Sequence, residues 1–258
     1  MKLSVKLTIL FLVLFCSMIV ALFFSGQYFI KQGFTAVEES MARISASRLQ
    51  QIVWGMNERL KMLTLDWACW DDTYAFIQDR NKAYVEATLQ PVSFLNSDLR
   101  SVVFLDSDGV LIESYFLDPE TEKVAPIHPG LADYFRAHRN RFKLQPGQSV
   151  TGLIAAAEGN LIIAAYAILT SKGEGPARGT LVMTRLLDNA AVAAASKVFL
   201  MDTSVYSLRQ TGQARKIVFP PFNSRAIEEN VYIQEADKNT LIITTSLNDL
   251  DSRPAIAL

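Results

Sequence analysis

A chain of 258 residues with 25 basic and 26 acidic side chains carries a formal charge of -1, so it has no field with which to gather nucleic acid. Half of its residues are hydrophobic and a fifth are charged. That balance excludes a disordered chain and leaves room for a sizeable core, in one large domain or two small ones.

The apolar residues are unevenly spread. Leu7 to Ile30 is free of charge and is roughly 36 Å long as a helix, against a bilayer core of roughly 30 Å. A cleaved signal peptide has a shorter apolar region, about 7 to 15 residues, so the run reads as an uncleaved membrane anchor. Phe15 before Cys16 argues against lipidation, which leaves Cys16 as one more apolar residue of the span. Lys2 and Lys6 precede the span with no acid among them, whereas Lys31 beyond it is soon offset by Glu38 and Glu39. The positive-inside bias therefore predicts a cytoplasmic segment 1–6, a span 7–30, a connecting helix 31–65 and an exported domain 66–258. Cys69 is the one cysteine of the exported part, so no intramolecular disulfide is expected there. The periplasmic side of a bacterial inner membrane is the expected location.

Between Lys31 and Ile77 there is no proline, and the glycines are Gly33 and Gly55 alone. Nothing here forces a helix to stop. Ala42, Ala46, Leu49, Val53, Met56, Leu60, Leu63, Trp67, Trp70, Tyr74 and Ile77 step by fours and threes, an apolar stripe of about five heptads. Such a stripe packs on its own domain or on the same helix of a second subunit. A shorter stripe of Phe34, Val37, Met41 and Ile44 lies on a rotated face beside the membrane, and a homodimer is expected.

The long stripe ends in DWACWDDTYAFI, residues 66–77. On a continuous helix, at about 100° per residue, Trp67, Trp70 and Tyr74 form one column in line with Leu63. Asp66 and Asp71 flank that column, while Asp72 and Cys69 face away. Two readings stand side by side. The rings are core and the border carboxylates accept their N–H and O–H groups, or the cluster walls a pocket for a cationic or amine-bearing ligand. A metal site fits poorly, because Asp71 and Asp72 diverge and no histidine is near in sequence. No cofactor is implied.

Further along, SDG between Ser101–Asp106 and Val110–Leu117 predicts a hairpin in which Asp108 and Gly109 make the turn. Asp106 stays a pocket candidate, and Asn96, before the first strand, is a candidate cap, turn or ligand contact. Leu131–Arg139 reads as a helix. Ser149–Ile154 and Asn160–Leu169 read as a second hairpin, KGEGPARG as a long turn, and Thr180–Arg185 as a strand. Arg185, in that apolar strand, is expected to pair with a ligand carboxylate or with a domain acid such as Asp71. Leu187–Lys197 reads as a helix, and Val198–Leu208, Asn230–Ala236 and Thr240–Ser246 read as strands. The pattern is α+β, with the long helix against antiparallel strands. His128 and His138 stand in polar or loop-like context with no HExxH, GxSxG or CxxC pattern, so the chain by itself is not expected to be an enzyme.

The segment DWACWDDTYAFI placed shortly after a membrane span resembles the signature of the fourth class of CHASE domains, extracytoplasmic sensors of bacterial transmembrane receptors. FLNSDLRSVVFLDSDGVLIES, GTLVMTRLLD and the terminal NDLDSRPAIAL resemble the same family in order and spacing, so the likeness covers most of residues 40–258. It implies a PAS-like or Cache-like sheet, a small-molecule or peptide ligand, a second span, and a cytoplasmic output. That output is a GGDEF cyclase, with or without an EAL phosphodiesterase, or a histidine kinase. Leu258 falls in an apolar, strand-like segment ahead of these parts, and a chain cut short of them is the expectation. The competing reading is an envelope scaffold that docks another protein.

Overall fold

A computed structural model of the protein describes residues 3–197, 202–208, 224–237 and 240–258. Lys2 and residues 198–201 of the expected strand 198–208 lie outside the described residues. Helix α1 runs unbroken over Leu3–Ala68, 66 residues or about 99 Å. It is the one described helix long and apolar enough to cross a membrane. Beyond the span its first stripe is buried: Ala42, Ala46, Leu49, Val53, Met56, Leu60 and Trp67 all lie in the core. The stripe is therefore spent on the chain's own domain, from Ala42 onward.

The helix does not continue to Ile77. It stops at Ala68, and α2 (Asp71–Asp79) begins after Trp70, whose backbone is extended at φ -80°, ψ 137°. The amide of Cys69 is shared between the carbonyls of Leu65 and Asp66, and the amide of Leu169 caps the freed carbonyl of Ala68 at 3.1 Å. A tertiary hydrogen bond thus satisfies the helix end. Two short helices follow, α3 (Lys82–Thr88), capped by the Asn81 side chain on the Ala83 amide, and α4 (Pro91–Ser97), with proline in its first turn.

The first sheet contains β1 (Ser101–Asp106), β2 (Leu111–Leu117), β3 (Val124–Ala125), β4 (Ser149–Ala156), β5 (Gly159–Ala167) and β6 (Gly179–Leu186). Its order is β3-β2-β1-β6-β5-β4, and every neighbouring pair is antiparallel. β1, β5 and β6 are buried on both faces. One face packs on α1 through Val102, Phe104, Ile162, Ala164 and Met183. The other packs on α5 (Pro129–Ala137) and a 3-10 turn at Arg139–Phe142, through Val103, Leu105, Phe135 and Phe142.

After α6 (Asn189–Ser196) the chain forms a second antiparallel sheet of β7 (Tyr206–Ser207), β8 (Arg225–Glu228), β9 (Val231–Asp237), β10 (Thr240–Asn248) and β11 (Pro254–Ala257), in the order β7-β11-β10-β9-β8. It is tied to the membrane-proximal part of α1 by Arg43–Glu228 at 3.0 Å, by Arg225–Glu39, and by Gln50 donating to Thr245 at 3.1 Å. Ile256 and Leu258 join the main core. The expected α+β architecture, a long helix against antiparallel strands, is the one observed. In the described part of the expected strand 198–208, residues 202–205 carry no regular structure and Tyr206–Ser207 pair in the sheet.

Candidate functional site

The break at Cys69–Trp70 rearranges the signature segment. Trp67 and Trp70 stack face to face, with centroids 5.1 Å apart and planes at 26°. Trp67 is buried, and Trp70 and Tyr74 pack half-buried against the core. Tyr74 sits on the new helix α2 and so leaves the tryptophan column. Its ring is covered by the guanidinium of Arg178, 3.7 Å from the centroid, and that group also donates to the Tyr74 carbonyl at 2.9 Å. The Tyr74 hydroxyl donates to the Pro176 carbonyl at 3.3 Å. Gly175, at φ +97°, passes so close that a Cβ there would meet the Tyr74 hydroxyl oxygen at 2.9 Å.

Asp71 faces the same loop. Its carboxylate accepts from the Ser171 amide at 2.9 Å and the Ser171 hydroxyl at 2.8 Å. Those two bonds, the backbone one first, hold its carboxyl below the ordinary aspartate range. Asp71 and Asp72 also occupy the first turn of α2, where the helix dipole favours negative charge. Together these contacts make a latch: an aromatic face and a carboxylate, the groups the sequence offers to a cation, hold the loop 170–178 through Arg178 and Ser171.

The remaining candidates lie elsewhere. Asp66 is exposed, and with burial, the larger cause, it pushes the neighbouring Cys69 thiol up. Asp72 opens on a separate shallow cleft of about 240 Å³ with Asp79, Asn81 and Tyr84. There the buried Tyr84 phenol shares a 2.9 Å hydrogen bond with Thr73, and burial drives its pKa to about 12. Asp106 accepts from the amides of Asp108 and Val110, both at 2.8 Å, and so organises its own hairpin turn. Asn96 is exposed on α4, within the helix and not in a turn.

Arg185 is buried and pairs with Asp98 at 3.1 Å, with further bonds to the carbonyls of Ser97 and Asp98, both at 2.9 Å. The domain acid is therefore Asp98 in place of Asp71. Since Ser101 pairs with Thr184 and Asp106 with Gly179, Arg185 and Asp106 stand at opposite ends of the sheet, about 20 Å apart along the strands. The nine candidates do not converge on one pocket. Trp67, Trp70, Asp71 and Tyr74 are brought together, and Arg185 lines a larger cleft at the other end. Ser171, Arg178 and Asp98 escaped sequence reasoning. The acidic pair after Trp70, a helix-start signal, was the available clue to the break. Among the described residues no group of three or more His, Cys, Asp or Glu side chains is placed to hold a metal ion.

One helix, long and apolar enough at its N-terminal end to cross a membrane, thus becomes the core helix of an α+β domain. Residues 56–206 match the family model of the CHASE4 domain, and the chain belongs to that family. The matched range stops short of the terminal NDLDSRPAIAL, so that part of the likeness rests on its sequence alone. The chain is 25% identical over 199 residues to the methanogenesis regulatory histidine kinase FilI of Methanothrix harundinacea (strain 6Ac), covering 77% of this chain and 22% of that protein. It thus spans about a fifth of that relative. Solved structures are similar as well. The sensor domain of the Vibrio cholerae histidine kinase DctB has a TM-score of 0.48 at 12% identity, covering 85% of this chain and 95% of that one. A sensory box/GGDEF family domain from Vibrio parahaemolyticus gives 0.49 at 13%, covering 84% and 95%. The extracellular domain of a protein described as a histidine kinase, vpHK1S-Z8, gives 0.48 at 11%, covering 85% and 90%.

Proposed function

We propose that this chain is the ligand-responsive input half of a receptor in a bacterial inner membrane. Its N-terminus is cytoplasmic, its sensor domain is periplasmic, and it works as a homodimer. The boundaries are a cytoplasmic segment 1–6, a span 7–30, a connecting helix 31–65 and a sensor domain 66–258, with the connecting helix itself supplying core residues from Ala42 onward. A small molecule or peptide shifts the domain between two arrangements, and α1 carries the displacement to an output. The similarity to a histidine kinase supports a kinase output, and a GGDEF or EAL output is the alternative within the same reading. The observation that carries the proposal is the continuity of α1. One helix holds the apolar span at one end and Leu49 to Trp67 of the sensor core at the other. A ligand that binds one packing of the sheet better than another must then move the span.

The test is a diglycine insertion after Gln32 in the receptor that carries this input domain. Thermal unfolding of the sensor domain should be unchanged while output ceases to respond to the external medium. A response that survives the insertion refutes transmission along α1.

A further inference from the structure

A cleft of about 750 Å³ opens at the end of the first sheet farthest from the signature segment, within the range of small-molecule sites. α1 contributes Met56 and Arg59, the bend just before β1 contributes Arg100, and α6 supplies a floor that includes Ala190, Ala191 and Ala194. Glu122 adds an exposed carboxylate to the cleft lining. Arg185 is committed to Asp98 and two carbonyls. Asp118 accepts from the Glu120 amide and the Thr121 hydroxyl, both at 2.9 Å, and Asp188 caps α6 through the Ala191 amide at 2.8 Å.

Two guanidinium groups are left over. Arg59 is exposed and makes no hydrogen bond or ion pair among the described residues. Arg100 lies over the Phe116 ring at 4.9 Å, and its Nε is buried with no hydrogen-bond partner. Glu158, Asp118 and Asp188 surround Arg100 electrostatically, yet none bonds to it, and both carboxylate oxygens of Glu158 are likewise buried without a hydrogen-bond partner. A buried guanidinium N–H without an acceptor is a deficit that folded proteins rarely leave.

The geometry points to a binding site for a small organic carboxylate in this cleft, with its carboxylate on Arg100 and Arg59 and a short apolar body on the alanines of α6. A planar carboxylate meets a guanidinium through two parallel bonds. Asp98, Asp118, Glu122 and Asp188 also line the cleft and repel a second negative charge more than a first, so a monocarboxylate is favoured over a phosphate dianion. Because Arg59 belongs to α1, occupancy ties the transmitting helix to β1 and α6. In this respect the inference rests on the receptor reading above.

The full chain in lipid nanodiscs, titrated calorimetrically with butyrate and separately with inorganic phosphate, tests it. Saturable butyrate binding is expected, at least tenfold tighter than phosphate and at least tenfold weaker in Arg100→Gln. Ala194→Phe, which fills the floor and leaves both arginines, should abolish it. Should Arg100→Gln fail to fold, Arg59→Gln and Ala194→Phe carry the same comparison. No saturable binding, equal affinity for phosphate, or binding unchanged in the variants overturns the site. Such a failure leaves the diglycine result untouched. A response that survives the diglycine insertion, with butyrate binding intact, would overturn the receptor reading and leave the site standing.

Discussion

At the scale of single residues, the acid and aromatic signature is occupied by the chain itself. Arg178 lies on the face of Tyr74 and Ser171 on the carboxylate of Asp71, so the chemistry suited to an amine ligand holds a loop. Arg178→Ala removes a partly desolvated cation–π contact and a hydrogen bond to the Tyr74 carbonyl, and should cost about 0.5–2 kcal/mol. Hydrogen exchange should quicken at the Ser171 amide, whereas a protection pattern identical to wild type would mean that the loop does not depend on Arg178. The pH sign follows from Asp71, whose carboxyl is lowered in the fold chiefly by the Ser171 amide. Its contribution is fully present above the unfolded aspartate value of about 3.9 and is lost as pH falls through the lowered folded value. Ser171 exchange should therefore stay slow through the neutral range and rise only in strong acid. Asp71→Ala should abolish that acid dependence.

At the scale of elements, α1 is stabilised less by its own turns than by the face it buries. Leu60 is fully buried beneath the sheet, while Met62, two residues on, is exposed. Leu60→Ala should cost about 2–5 kcal/mol by the loss of buried methyls and the cavity left behind. Met62→Ala should stay within about 0.5 kcal/mol. Urea unfolding of the two variants checks the assignment of faces, and equal costs would contradict it. This face was legible in the sequence, because a 3.6-residue period leaves its trace in the spacing of Ala42 through Trp67. The break after Ala68 was not, since no proline or glycine marks it. It is held by contacts remote in sequence, Leu169 on the Ala68 carbonyl and Ser171 on Asp71. The hairpin at Asp106–Gly109 was legible for the opposite reason, its turn being made by local side-chain bonds. The candidate site was readable only as composition. Residue types in DWACWDDTYAFI suggest a cation, but only the fold shows that Arg178 supplies one, and only the fold gathers Arg59, Arg100 and Arg185 from three elements.

At the scale of the whole molecule, the unanswered face is the second stripe of α1. Phe34, Val37, Met41 and Ile44 are 66%, 57%, 61% and 49% exposed, and they stand about 6–21 Å beyond the end of the span. Each such side chain contributes about 1.5–3 kcal/mol when fully buried. Two chains anchored in one membrane by parallel spans meet with these stripes at the same height, and anchoring lowers the cost of bringing them together. The heptad spacing continues through Arg48, Gln51 and Glu58 to the exposed Met62 and Leu65, so a symmetric pair would close at both ends around a polar middle. In a chain carrying Cys16→Ser and Cys69→Ser, Val37→Cys should form an intermolecular disulfide in native membranes under mild oxidation. Thr35→Cys, about 160° away around the helix, should do so at least fivefold more slowly. Equal rates at the two positions would show random collision in the bilayer, and no cross-link at Val37 would place the partner, if one exists, on another face. Preferential reaction at Val37 would give α1 a second packed surface, so that a displacement of one helix in the sensor core is met by its twin before it reaches the membrane.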